Sequence, residues 1–193
     1  MPSMSYWCSQ QAIEYGNSTI GKQRYYNPNI SLKDMTKQIG DSYMTIIFRN
    51  YKSEDYSEIT DMIFALYQED PEGKPINHKK VEKTINELFE HPEKGKIIVI
   101  EHNAQIVGYA IIIFYWSNEY GGDILNIDEL YIKPALRKQG IATQFLNQIF
   151  KIYREEVSAF GLEVTPSNKR VLSYYKKLGF KATDNLHMIY QLS

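Results

Sequence analysis

Apolar positions along the chain alternate between two rhythms. Residues 44–48 open with a dense apolar run, and 46–49 reads as a strand. Tyr56, Ile59, Ile63 and Leu66 then recur at helical spacing, predicting a helix over 55–68. Asp70-Pro71-Glu72-Gly73 breaks it. Asn77 is placed to cap a second helix that carries Val81, Ile85, Leu88 and Phe89 and ends at His91-Pro92. Three strands follow, over 96–101, 106–116 and 124–132, with turns at 102–104 and 117–123. The middle strand is nearly all apolar, as a strand covered on both faces should be. Pro134 stops the third, because it has no N–H for a ladder.

A polar turn at 137–140 leads into an amphipathic helix predicted over 140–155, with Ile141, Phe145, Ile149 and Ile152 on one stripe. A strand is expected over 162–165. Pro166-Ser167-Asn168 then opens a last helix with Val171, Tyr175 and Leu178 on one face and Gly179 as its C-terminal stop. From Phe180 a terminal hairpin is expected, with 187–192 as its last strand. Hairpins mixed with helical crossovers predict an α/β (α+β) fold, a mixed central sheet of about seven strands with helices on both faces. Residues 1–43 are rich in Tyr, Asn, Gln and Ser and lack periodicity. They read as an extension, either disordered or packed on the surface, ahead of a domain over 44–193.

Composition narrows the classes. A chain of 193 residues with a net charge of −1 has no nucleic-acid signature. No signal peptide is visible, and the longest apolar run is too short for a membrane helix. Cys8 is the only cysteine, so a reducing cytoplasm is the expected setting. His78, His91, His102 and His187 lack metal-ligand spacing, and no metal is expected.

The chemistry concentrates where the third strand meets the turn and helix. The first N–H groups of a helix have no internal partner, and the helix dipole places partial positive charge there. That is a site for a phosphate or pyrophosphate. Gly140 and Ala142 allow close approach, and Arg137 and Lys138 add charge. The Gly-Lys-Ser/Thr ending of a nucleotide P-loop is absent, as is Gly-x-Gly-x-x-Gly.

Arg137-Lys138-Gln139-Gly140-Ile141-Ala142 resembles the Gln/Arg-x-x-Gly-x-Gly/Ala signature of the GNAT superfamily of N-acetyltransferases. Asn168, Val171, Tyr175, Gly179 and Phe180 resemble its second cofactor region, with Val171 where alanine is usual. The resemblance covers about 45–192. It implies acetyl-CoA as co-substrate, lying between two splayed parallel strands, here 124–132 and 162–165. Backbone groups of Leu130, Tyr131 and Ile132 would pair with its pantetheine arm. The amides of Arg137, Lys138, Gln139, Gly140, Ile141, Ala142 and Thr143 would hold the pyrophosphate, and Asn168 would contact the cofactor or simply cap its helix. Tyr175 would protonate the departing thiolate, or serve only as a core aromatic.

Asp128 and Glu129 are candidate bases for the acceptor ammonium, with Glu163 a third. Strand alternation places Asp128 with Leu130 and Ile132, a slight reason to prefer it. The family's acceptor specificity comes from the first two helices and the loop before the cofactor strand. By match these are Tyr67, Glu69 and Asp70, with Trp116, Glu119 and Tyr120. The expected acceptor is a primary amine on a small molecule or a protein. Family members often dimerise, so a homodimer is one expectation. Two other readings stay open: a non-catalytic acyl-CoA sensor, and a nucleotide-binding protein using the same helix start.

Overall fold

The computed structural model describes residues 35–39, 42–69, 75–185 and 188–191. Six strands form one sheet in chain order: β1 (Met35–Ile39), β2 (Ser42–Asn50), β3 (Gly95–His102), β4 (Gln105–Ser117), β5 (Gly122–Ile132) and β6 (Ala159–Leu162). Every neighbouring pair is antiparallel except β5 and β6, which run parallel. Between β2 and β3 come α1 (Tyr56–Glu69) and α2 (His78–Glu90). Between β5 and β6 comes α3 (Ile141–Tyr153), and α4 (Lys169–Lys177) follows β6.

The sheet is covered on both faces, as the patterning predicts. One core joins Ile46, Phe48, Ile98, Ala110, Ile112, Leu125 and Ile127 to Ile141, Phe145 and Ile149 of α3. The other joins Ile97, Val99, Tyr109, Ile111 and Tyr131 to Ile59, Ile63, Val81 and Ile85 of α1 and α2. Residues of β3 and β4 alternate between these two cores, which is why both strands read as unbroken apolar runs. Asn77 caps α2 as expected, its side chain accepting from Lys80 N–H at 3.0 Å.

The sequence-based strand count needs correction. The structure has six strands among the described residues instead of about seven. The sheet also begins upstream of Met44: β1 is hydrogen-bonded to β2, with Met35 opposite Ile46. The expected terminal hairpin is absent from the described residues after Phe180. Met188, Ile189 and Tyr190 are exposed there and pair with no strand among the described residues. Positions 186, 187 and 192 lie outside the described residues. The strand expected over 162–165 is instead Ala159–Leu162, because Phe160 and Leu162 are the residues that pack against the α3-side core.

Two local devices hold the frame around the cleft. Asp55, buried in the 3-10 turn just before α1, takes a two-pronged ion pair from Arg49 of β2 at 2.7 and 2.8 Å. Arg49 also donates to Glu101 of β3 at 2.7 Å, so one guanidinium ties α1 to two strands. Burial alone would raise the Asp55 carboxyl, but Arg49 and the Lys52 N–H bring it below the usual range. The second device is Gly108 in β4. A Cβ there would stand 2.4 Å from the Tyr131 carbonyl oxygen and 2.7 Å from Ile132 Cδ1. Gly108→Ala is therefore expected to destabilise the fold by about 1–3 kcal/mol, the usual cost of overpacking. Thermal unfolding checks this; an unchanged midpoint would show that β4 and β5 can separate freely.

Candidate active site

The site begins where β5 outruns its neighbour. Parallel pairing with β6 stops at Ile127 opposite Leu162, while β5 continues to Ile132. Lys133 N–H bonds the Val107 carbonyl across β4 at 2.9 Å. Main-chain direction alternates along a strand, so Tyr131 also faces β4. Leu130 and Ile132 then turn their N–H and C=O groups toward the gap beyond β6. An extended ligand arm can add to such an unpaired edge.

After β5 come a 3-10 turn (Pro134–Leu136) and a left-handed pair of residues. Lys138 has φ 65° and Gly140 φ 82°, the latter serving as the N-cap of α3 without any side-chain cap. The first amides of α3, on Ile141, Ala142 and Thr143, are therefore left for an outside acceptor. A Cβ on Gly140 would find only Gln144 Nε2, at 4.0 Å, so the space above the turn is open. Uncapped amides, alternating backbone hand and a helix dipole together fit an anion as large as a pyrophosphate.

Arg137 does not serve as a free phosphate-facing cation. Its Nε donates to the Ile132 carbonyl at 2.7 Å, one terminal nitrogen donates to Glu69 at 2.8 Å, and the group lies 5.1 Å from the Tyr131 ring centre. Glu69 raises the guanidinium further above its ordinary pKa. The side chain thus latches the turn to the end of α1. The same contact occupies the Ile132 carbonyl expected to face a ligand. Gln139 is exposed, its side-chain amide 3.4 Å from the Ala135 carbonyl.

The two strand carboxylates are arranged differently from simple alternation. Ile112 pairs with Ile127 but Ile111 pairs with Glu129, which leaves Asp128 as an extra residue in a bulge. Leu125 and Ile127 lie in the α3-side core before the bulge, and Leu130 and Ile132 lie there after it. Alternation is therefore interrupted at Asp128, and the ground for grouping that residue with Leu130 and Ile132 falls. Asp128 is exposed at the gap; the protein around it and then the Glu163 carboxylate push its pKa upward. Glu129 turns to the opposite core, where Tyr109 donates to its Oε2 at 2.7 Å and Tyr67 supplies a second hydrogen bond. Burial raises the Glu129 carboxyl above its ordinary value, the two phenols act against this, and the Asp128 charge adds to the rise.

On the other side of the gap, Asn168 caps α4 by accepting from Val171 N–H at 3.2 Å. The capping role is thus present. Tyr174 shares a hydrogen bond of 3.1 Å with Thr143 of α3, fixing α4 against the anion cradle. Tyr175 packs edge-on against Phe180, with ring centres 5.6 Å apart. Burial, then Tyr174, pushes its phenol up to about 12.

The expected acceptor residues divide. Tyr67 and Glu69 reach the site through Glu129 and Arg137. Asp70 lies outside the described residues. Trp116, Glu119 and Tyr120 belong to the far end of the β4–β5 hairpin, where Trp116 pairs with Asp123. Asp123 is roughly 17 Å from Asp128 at about 3.3 Å per residue, so the structure does not bring that trio to the carboxylates. A cleft of about 540 Å³ beside Tyr131 is lined instead by Glu54, Glu58, Asp61 and Lys133, with Lys133 paired to Glu58. Sequence reasoning missed Glu58 and Asp61 of α1 and their neighbours Glu54 and Lys133; the i, i+3 spacing of Glu58 and Asp61 on the first helix was the available signal.

Residues 60–180 match the acetyltransferase (GNAT) family. The chain belongs to the GNAT acetyltransferase family. An uncharacterized N-acetyltransferase of Methanocaldococcus jannaschii is 25% identical over 139 residues, 71% of this chain and 61% of the relative. A thialysine N-epsilon-acetyltransferase of Bos taurus is 32% identical over 75 residues, 38% of this chain and 44% of the relative. The match therefore spans less than two thirds of either relative. A possible acetyltransferase from Clostridium difficile 630 superposes with a TM-score of 0.69 at 24% identity, covering 77% of this chain and 98% of that one. That likeness extends the GNAT reading to the fold. Among the described residues, no helix is long and apolar enough to cross a membrane, and no cluster of His, Cys, Asp or Glu is placed to hold a metal.

Proposed function

We propose that this GNAT acetyltransferase moves an acetyl group from acetyl-CoA directly to a primary amine. The observation that carries the reading is the continuity of β5 past its last β6 partner into a turn with uncapped α3 amides. An unpaired strand edge and an anion cradle in series suit a ligand with an amide-bearing arm and a pyrophosphate. Leu130 would offer main-chain groups to the arm. The amides of 138–143 would hold the phosphates. Bound acetyl-CoA would supply an activated acetyl thioester.

The chain's residues have three tasks. An ammonium has no lone pair with which to attack, so it must first lose a proton. Glu129 is favoured as the acceptor of that proton, because two tyrosines fix its position; Asp128, exposed at the mouth beside Glu163, can pass protons to solvent. Leu130 N–H faces the gap and can stabilise negative charge developing on the acetyl oxygen. Tyr175 stays protonated at neutral pH and can donate to the leaving sulfur. Complete proton transfer from a phenol held at about 12 to a thiolate of pKa about 8.5 runs uphill. The contribution of Tyr175 is therefore a hydrogen bond to charge forming on sulfur.

Lysine-like side-chain amines are the first acceptors to examine, since one relative is a thialysine N-epsilon-acetyltransferase. Acidic residues beside Tyr131 also suit a cationic approach. The expected outcome is release of free CoA from acetyl-CoA with at least one amine in a panel that includes thialysine, polyamines and peptide amines. CoA binding without turnover on any amine would instead favour the sensor reading.

A further inference from the structure

The bulge at Asp128 has a consequence for its neighbour. Without the extra residue, Glu129 would continue the alternation of Leu125 and Ile127 into the α3-side core. With it, Glu129 stands opposite Ile111 and diagonal to Tyr109, whose own partner is Tyr131. A diagonal cross-strand neighbour is within reach of an aromatic side chain. Tyr109 is fully buried and spends its hydroxyl on Glu129. Tyr67 meets the same carboxylate from α1, the helix whose final residue Glu69 is latched to Arg137. Two elements therefore converge on one carboxylate.

We propose that Tyr109 and Tyr67 are positioning residues for acetyl transfer, holding Glu129 beside the gap as the proton acceptor; this rests on the acetyltransferase reading above. The titratable groups facing Glu129 are Tyr109 from β4, Tyr67 from α1 and Asp128 from its own strand, with Glu163 beyond Asp128. Burial and Asp128 both favour the protonated carboxyl, which cannot accept a proton. The two phenols favour the carboxylate. Burial and the adjacent Glu129 push the Tyr109 phenol far above its ordinary range, so it remains a donor at every working pH.

Removing one phenol should raise the pH at which Glu129 loses its charge. The carboxylate form disappears as pH falls, so the acidic limb of kcat/KM should move upward in Tyr109→Phe. A hydrogen bond to a charged group corresponds to a shift of about one pH unit. The KM for acetyl-CoA should stay unchanged, because the cradle is untouched. The direct readout needs no co-substrate: carbon NMR of the free protein labelled at the glutamate carboxyl, with Glu129→Gln to assign the signal. An upward displacement of the Glu129 titration in Tyr109→Phe supports the proposal; an unchanged titration overturns it. Should Tyr109→Phe fail to fold, Tyr67→Phe gives the same two readings from the margin of the site. If Glu129→Gln turns over like the parent, its proton-acceptor role fails by itself, whatever the carboxyl titration shows.

Discussion

Gly140→Val is expected to lower CoA affinity by at least about 100-fold with the fold retained. Gly140 adopts φ 82° and ψ 4°, a left-handed conformation that costs a branched side chain roughly 1–2 kcal/mol. The residue can avoid that cost by changing its φ, which redirects the amides of Ile141 and Ala142. If it keeps its φ, the new methyl groups occupy the open space above the turn. Either response spoils the cradle. Gly140→Ala meets the same backbone strain with less bulk and should lose less affinity. Calorimetric titration with CoA and thermal unfolding separate binding from stability. Affinity within a few-fold of the parent in the valine variant would place the pyrophosphate elsewhere.

The second large effect concerns turnover. Tyr175→Phe should reduce kcat by about 100-fold, the usual cost of removing one hydrogen-bond donor aimed at charge that develops in the transition state. Its dissociation constant for CoA should remain near the parent's. The ring contact with Phe180 and the Tyr174–Thr143 hydrogen bond both survive the substitution, so α4 keeps its place. Steady-state kinetics with the best amine, beside a CoA titration, tests both halves. Equal loss of binding and turnover would make Tyr175 a packing residue of α4.

The layered core was legible in the sequence because burial imposes a period. Ile59 and Ile63 of α1, the unbroken run in β4, and the Ile141, Phe145 and Ile149 stripe of α3 all announced which faces would be covered. The turn at Gly140 was legible for a different reason. A helix start without a side-chain cap, preceded by glycine, follows from local chemistry alone. Register was not legible. The bulge at Asp128 is a two-against-one pairing between β4 and β5, and nothing local in Asp-Glu-Leu-Tyr specifies it. Arg137 shows the same limit: its charge is plain from the sequence, but its partners Glu69 and Ile132 are set by how α1 packs beside β5. Trp116 and Tyr120 match the family's specificity loop by position in the sequence, and the length of β5 separates that end of the hairpin from the carboxylates. Among the described residues after Phe180 no strand forms, and apolar character alone did not reveal this, since Met188 and Ile189 are apolar yet exposed.

The central claim is that the main-chain amides at the start of α3 receive a pyrophosphate. Its most direct test is a series of amide spectra of labelled protein recorded as CoA is added. The largest chemical-shift changes should fall on Lys138 through Thr143, with smaller changes at Leu130. Spectra in which these amides stay fixed at saturating CoA, while others move or none do, would contradict it.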